Sequence, residues 1–155
     1  MKAEELLIKK LKKLKLTIGS VESMTGGAFC KAITDIAGAS EVYKGSLICY
    51  CNELKTNLLN ISEELIIQKG AVSYEVAKLM AQEGMKILKT DLCISFTGNA
   101  GPGILPGEEG VGVCYIGIAT KNTMEVEKIE AKGSRKIIRN KIISVALEKL
   151  NQKIS

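Results

Sequence analysis

The stretch Gly19-Ser20-Val21-Glu22-Ser23-Met24-Thr25-Gly26-Gly27 decides how this chain is read. It sets an acid, the hydroxyls of Ser23 and Thr25 and a glycine pair between an apolar run and a segment of helical periodicity. A strand that stops at a hydroxyl and turns into a helix through glycines holds that hydroxyl on a rigid element. It also aims backbone N–H groups at whatever lies beside it. Sites that pair a nucleophile with oxyanion donors are built this way, and so are phosphate sites. The same residues also make a tight turn whose Ser or Thr caps the next helix. Taken alone, the stretch leaves both readings open.

Working outward, residues 16–21 read as the strand. Residues 27–36 read as the helix, with Phe29, Ala32, Ile33 and Ile36 inward and Gly38 ending it. Upstream, residues 2–15 form an amphipathic helix in which Leu7, Leu11 and Leu14 recur at helical spacing opposite Lys9, Lys10, Lys12 and Lys13. The lysines read as the wet face of a helix packed on the domain, in preference to a membrane or nucleic-acid contact. Downstream, residues 45–51 form a second strand, with Asn52 as N-cap and Glu53 in the first turn of a helix. Lys55 sits badly there. A cation facing the positive end of a helix favours the neutral amine, and an amine near a hydroxyl is a candidate general base. The alternative is an exposed Lys bent into solvent.

Residues 61–70 read as a short helix closed by Gly70, and Ser73 caps a long helix over 74–88. Residues 91–97 form a third strand. The glycine-rich segment 97–112 follows; it holds both prolines but neither a P-loop nor a dinucleotide fingerprint. Loops of this kind are functional or disordered, and their glycines admit close approach of backbone amides to a ligand. Residues 111–120 and 125–131 form a hairpin, the second strand at an edge. Ser134 caps the last helix, which runs to about residue 152. Arg135 and Arg139 lie one turn apart near its N-terminus, where two cations call for an anion or an acidic neighbour. This order predicts an α/β fold of three layers, α/β/α, around a mixed five-stranded sheet.

At 155 residues the chain reads as a single domain spanning 1–155 that needs neither disulfide nor metal to fold. Aromatics make up 4% with no Trp, which argues against nucleic-acid modules that stack bases. The net charge of +5 is mild; it suits a small anionic partner, but a solvated basic face is the favoured explanation. There is no His, so acid–base chemistry falls to Lys, Glu, Asp, Tyr or Cys. Cys30, Cys49, Cys51, Cys93 and Cys114 form no CxxC pair and read as reduced core residues of a cytoplasmic protein. No signal peptide and no stretch of membrane-spanning length is expected. Without His, Ser–Lys chemistry is the natural form of acyl transfer.

The ordered motifs Val21-Glu22-Ser23-Met24-Thr25-Gly26-Gly27, Thr34-Asp35-Ile36-Ala37-Gly38-Ala39-Ser40 and Tyr50-Cys51-Asn52-Glu53-Leu54-Lys55 continue in Gly70-Ala71-Val72-Ser73, Thr97-Gly98-Asn99-Ala100-Gly101-Pro102-Gly103, Val111-Gly112 and Gly133-Ser134-Arg135. Together they resemble the C-terminal-domain family of CinA, the nicotinamide-nucleotide amidases, over nearly the whole chain. The resemblance implies hydrolysis of the carboxamide of nicotinamide mononucleotide to nicotinic acid mononucleotide and ammonia, in pyridine nucleotide recycling. It implies an α/β/α fold of the anticodon-binding-domain type, no cofactor or metal, and a homodimer.

By position, it implies Ser23 as nucleophile and Lys55 as base, with Tyr50 and Thr25 assisting. Glu22, Gly26, Gly27, Asn52, Gly98, Asn99, Ala100 and Gly101 would contact substrate, and Arg135 and Arg139 would hold phosphate. Whether Ser23 or Thr25 attacks, and whether Lys55 activates water instead, stays open at this point. Met24 and Cys51 stand where the family commonly has Cys and Ser, and 104–110 lacks its usual Lys-Pro. Two other readings compete: a non-catalytic nucleotide-binding module acting through a protein partner, and a nucleic-acid-associated protein resting on the first helix.

Overall fold

In the computed structural model, which describes residues 1–104 and 109–155, the elements run α1 (Ala3–Leu14), β1 (Ile18–Glu22), α2 (Ala28–Thr34), a 3-10 turn (Ala39–Glu41), β2 (Tyr43–Ile48), α3 (Asn52–Leu59), α4 (Glu63–Lys69), α5 (Tyr74–Leu88), β3 (Leu92–Gly98), β4 (Val113–Thr120), β5 (Met124–Glu130) and α6 (Arg135–Lys153). The five strands form one mixed sheet in the order β2-β1-β3-β4-β5. Strand β1 pairs parallel with both β2 and β3, while β3–β4 and β4–β5 are antiparallel.

The alternation of strand side chains builds the three layers. Leu92, Ile94 and Phe96 of β3, with Ile116 and Ile118 of β4, face a core closed by Leu7 and Leu11 of α1, Phe29 and Ile33 of α2, and Ile138, Ile142, Ala146 and Leu150 of α6. Val21 and Cys93 point to the other face, where Leu59 of α3, Ile66 of α4 and Val76 and Met80 of α5 cover them. The chain goes from β1 to β2 through α2 on one face and from β2 past β1 to β3 through α3–α5 on the other. Right-handed crossovers in opposite directions require that switch of face. It leaves the carboxyl ends of β1, β2 and β3 side by side, where open α/β sheets bind ligands.

Several local expectations change. Helix α2 ends at Thr34, and Gly38, at φ 85°, opens the 3-10 turn instead of closing the helix. The N-cap of α3 is Cys51, without a side-chain cap bond, and Asn52 is its first helical residue. Cys51 is exposed and Cys30 half-buried, so only Cys49, Cys93 and Cys114 are core thiols; burial pushes Cys93 and Cys114 up to about 12. Leu14 is exposed, and Ile8 joins Leu7 and Leu11 in the core. No described helix is long and apolar enough to cross a membrane.

Helix α5 seats closely on the sheet because small residues let it. Ser95 Oγ of β3 donates to the Ala77 carbonyl at 2.7 Å. A Cβ at Gly117 would lie 2.5 Å from that hydroxyl and 2.7 Å from the same carbonyl oxygen. Gly117→Ala is therefore expected to lower stability by about 1–3 kcal/mol, read as a lower urea midpoint. An unchanged midpoint would mean that α5 is free to lift.

Asp91 ties the start of the parallel pair to the β4–β5 turn. It accepts from the Thr17 backbone N–H at 2.8 Å and hydroxyl at 3.1 Å, and pairs with Lys121 at 3.1 Å. The Thr17 N–H above all, with Lys121 adding to it, holds the Asp91 carboxyl below the usual carboxylate range despite partial burial. Its stabilising contribution is complete above the unfolded value of about 4 and is lost as pH falls through the lower folded value. Asp91→Asn is expected to melt below wild type at neutral pH. The difference should shrink as pH falls below about 4, and a difference constant with pH would contradict this.

Candidate active site

Ser23 is the first residue past β1. Its backbone N–H extends the ladder to the Phe96 carbonyl at 3.1 Å, and the Glu22 carbonyl accepts from Cys49 N–H at 2.8 Å. The chain then reverses through Gly26 at φ 59° and Gly27 at φ 97°, a left-handed pair that side chains tolerate poorly. The space is also closed, since a Cβ on Gly26 would lie 2.7 Å from Arg139 Nη2.

Lys55 enters from the next loop. Although it lies on a surface helix, it is 1% exposed, and its Nζ donates to Ser23 Oγ at 3.0 Å and to the Tyr50 carbonyl at 3.4 Å. It does not bend into solvent. Cys49 lies near the amine: burial pushes that thiol up while the Lys55 charge pulls it down, and burial prevails. Of the two hydroxyls in the turn, only Ser23 bonds this amine among the described residues. Thr25 is fully buried and donates its hydroxyl to Glu22 Oε1 at 2.9 Å.

Ser23 and Lys55 open onto a cavity of about 530 Å3, which Tyr50, Asn52, Asn99 and Arg135 also line. Its far wall is the segment after β3. Asn99 Oδ1 accepts from Gly101 N–H at 2.9 Å, and Asn99 N–H donates to the Val113 carbonyl at 3.0 Å. These bonds fix Gly98, Ala100 and Gly101 along the cavity. Arg135 closes the mouth. Its Nη1 donates to the Gly101 carbonyl at 2.7 Å and its Nη2 to the Tyr50 hydroxyl at 2.8 Å. Because Arg135 is exposed and has no carboxylate partner among the described residues, it stands as a cation at the entrance of a pocket whose floor is a hydroxyl–amine pair.

The remaining sequence-predicted residues are placed elsewhere. Glu22 is fully buried beneath the turn and accepts the backbone N–H groups of Phe29 and Cys30, so it is a structural acid and not a substrate contact. The Gly26 N–H donates to the Ser23 carbonyl at 3.1 Å and is not available to an oxyanion, and neither Gly26 nor Gly27 is among the described residues that line the cavity. Arg139 does not share the cavity with Arg135. Its Nη2 donates to the Thr25 carbonyl at 2.7 Å and braces the turn from behind. The altered residues 104–110 fall partly outside the described residues; Ile104 borders the cavity.

Residues passed over singly also line the site. Thr97 Oγ1 donates to the Ala71 carbonyl at 2.7 Å, pinning the α4–α5 loop to the end of β3, where Ala71 and Val72 form a wall. Their only sequence signal was membership of the ordered motifs. A separate cleft of about 410 Å3 between β5 and α6 carries the ion pairs Lys149–Glu127 and Lys153–Glu125 and no nucleophile. No group of metal-ligating side chains occurs among the described residues.

A three-layer α/β/α sheet with a buried serine–lysine pair at its carboxyl edge defines the class of this molecule. The chain belongs to the CinA C-terminal domain family, which it matches over residues 1–154. It is 41% identical over 145 residues to a putative competence-damage inducible protein of Thermoanaerobacter sp. (strain X514), covering 94% of this chain and 35% of that one. It is 40% identical over 151 residues to the protein of that description from Caldicellulosiruptor bescii, covering 97% and 37%. The chain thus spans about a third of the length of these relatives. Among solved structures, the competence/damage inducible protein CihA from Agrobacterium tumefaciens superposes with a TM-score of 0.89 at 31% identity, covering 96% of this chain and 93% of that one. The competence or damage-inducible protein from Enterobacter asburiae shares the fold, with a TM-score of 0.96 at 24% identity and coverage of 99% and 96%.

Proposed function

We propose that this protein hydrolyses the carboxamide of nicotinamide mononucleotide to nicotinic acid mononucleotide and ammonia, by a Ser/Lys mechanism. The observation that carries the reading is the 3.0 Å contact of Lys55 Nζ with Ser23 Oγ at the floor of a cavity with Arg135 at its mouth. In the first half-reaction Ser23 Oγ bonds to the carboxamide carbon and passes its proton to the Lys55 amine. The tetrahedral intermediate then collapses, the C–N bond breaks, and the leaving nitrogen takes that proton from Lys55 and departs as ammonia. Water attacks the resulting ester and gives one proton to Lys55, which returns it to Ser23 Oγ as the acyl–oxygen bond breaks; the carboxylic acid released then loses its remaining proton to solvent. The backbone N–H groups nearest the attacked carbon would stabilise the oxyanion. Arg135, with the Tyr50 hydroxyl oriented beside it, would hold the 5′-phosphate.

Purified protein incubated with nicotinamide mononucleotide should release ammonia, and a Ser23→Ala control should not. Saturable binding without turnover would instead favour a nucleotide-binding module. Arg135→Ala is expected to raise KM by about 10- to 100-fold with a much smaller change in kcat, since it removes a charge-assisted contact remote from the reacting bond. An unchanged KM would place the phosphate elsewhere.

A further inference from the structure

We infer that the Glu22 carboxylate is the positioning residue of the nucleophile turn, an inference that rests on the amidase reading for its catalytic readout. Glu22 accepts five hydrogen bonds: Thr25 Oγ1 at 2.9 Å and Phe29 N at 3.0 Å on Oε1, and Cys30 N at 3.1 Å, Ser46 Oγ at 3.1 Å and Ser20 Oγ at 3.2 Å on Oε2. Every donor is neutral. A fully buried carboxylate is costly, and among the described residues backbone and hydroxyl dipoles, not a cation, offset the cost. The donors come from different elements: β1, β2, the turn itself and the first turn of α2. One side chain therefore fixes where β1 stops, where α2 starts and how residues 23–25 lie between them.

The outer shell of this network is closed too. Tyr43 hydroxyl lies 2.7 Å from Ser20 Oγ, and burial pushes its phenol well above the ordinary range, so it stays a neutral hydroxyl at the inner end of the chain. On the opposite side Arg139 holds the Thr25 carbonyl. The turn is clamped at Thr25 from inside by Glu22 and from outside by Arg139, and Ser23 and Met24 are the two residues between that clamp and the end of β1.

The donor set explains why a carboxylate is needed. Hydroxyls can rotate from donating to accepting, but backbone N–H groups cannot. Phe29 N–H faces one oxygen and Cys30 N–H the other. A glutamine in either flip would set its NH2 against one of these amides, and no rearrangement of Thr25, Ser20 or Ser46 relieves that.

The test measures the full chain in three ways: kcat and KM for ammonia release, melting temperature, and the rate at which phenylmethylsulfonyl fluoride sulfonylates Ser23, read by peptide mass. In that probe reaction Ser23 Oγ bonds to sulfur, fluoride leaves and the hydroxyl proton passes to Lys55. Glu22→Gln is expected to slow sulfonylation and kcat by about 100-fold with KM nearly constant, because a displaced nucleophile loses attack geometry while the pocket wall stays. Thr25→Val should slow both by about tenfold or more, and Thr25→Ser should recover most of that loss. If Glu22→Gln does not fold, the Thr25 pair decides.

The inference is overturned if the folded variants melt lower yet label and turn over within about threefold of wild type, if Thr25→Ser labels no faster than Thr25→Val, or if wild-type Ser23 resists sulfonylation. A wild type that labels rapidly but releases no ammonia, with labelling slowed in Glu22→Gln, would sink the amidase reading and leave the positioning role standing.

Discussion

Ser23→Ala is expected to abolish ammonia release from nicotinamide mononucleotide, lowering kcat by about 10⁴-fold or more at a nearly unchanged melting temperature. Oγ is the only atom lost. Its structural bond is the one to Lys55 Nζ, whereas the backbone N–H that anchors Ser23 to Phe96 survives the change. The cavity and Arg135 also survive, so substrate affinity should persist, and titration calorimetry would show binding without turnover. Thr25→Val is expected to behave differently because Thr25 is committed to Glu22. If Ser23→Ala kept turnover within tenfold of wild type, Lys55 would be activating water directly.

Lys55→Met is expected to lower kcat by about 10³-fold, within the range for loss of a general acid–base, while melting at the same temperature as wild type or higher. The two side chains have similar length, and Lys55 is 1% exposed. Replacing a buried ionisable group by an apolar one of similar volume is often neutral or stabilising. A loss of activity accompanied by a gain in stability would separate a chemical role from a packing role. If the variant lost stability and kept its rate, the lysine would be a strut for the Tyr50 loop.

Much of this site was legible in the sequence, and the reasons differ from residue to residue. The hydroxyl–glycine turn could be placed because strand periodicity runs straight into it, and a mixed five-stranded sheet followed from the order of elements and the hairpin near its end, whereas the order β2-β1-β3-β4-β5 and the parallel pairing of β1 with β2 and β3 depend on tertiary packing. Lys55 was singled out by a local electrostatic misfit at the start of α3, yet its contact with Ser23 depends on how α3 packs against β1, which no local rule supplies. Arg135 and Arg139 share a helix face, so spacing grouped them. Tertiary packing separates them, because α6 passes the turn at one level and the cavity mouth at the next. Glu22 shows the limit most plainly. An acid beside a candidate nucleophile reads as part of the chemistry, but alternation along β1 turns it, with Ser20, away from the cavity and under α2.

The most direct measurement is the simultaneous quantification of ammonia and nicotinic acid mononucleotide from nicotinamide mononucleotide, with Ser23→Ala run in parallel. The expected result is equimolar appearance of both products with wild type and neither above background with the variant. Binding of the nucleotide by wild type with no ammonia and no acid product, or equal release by both proteins, would contradict the Ser23–Lys55 amidase.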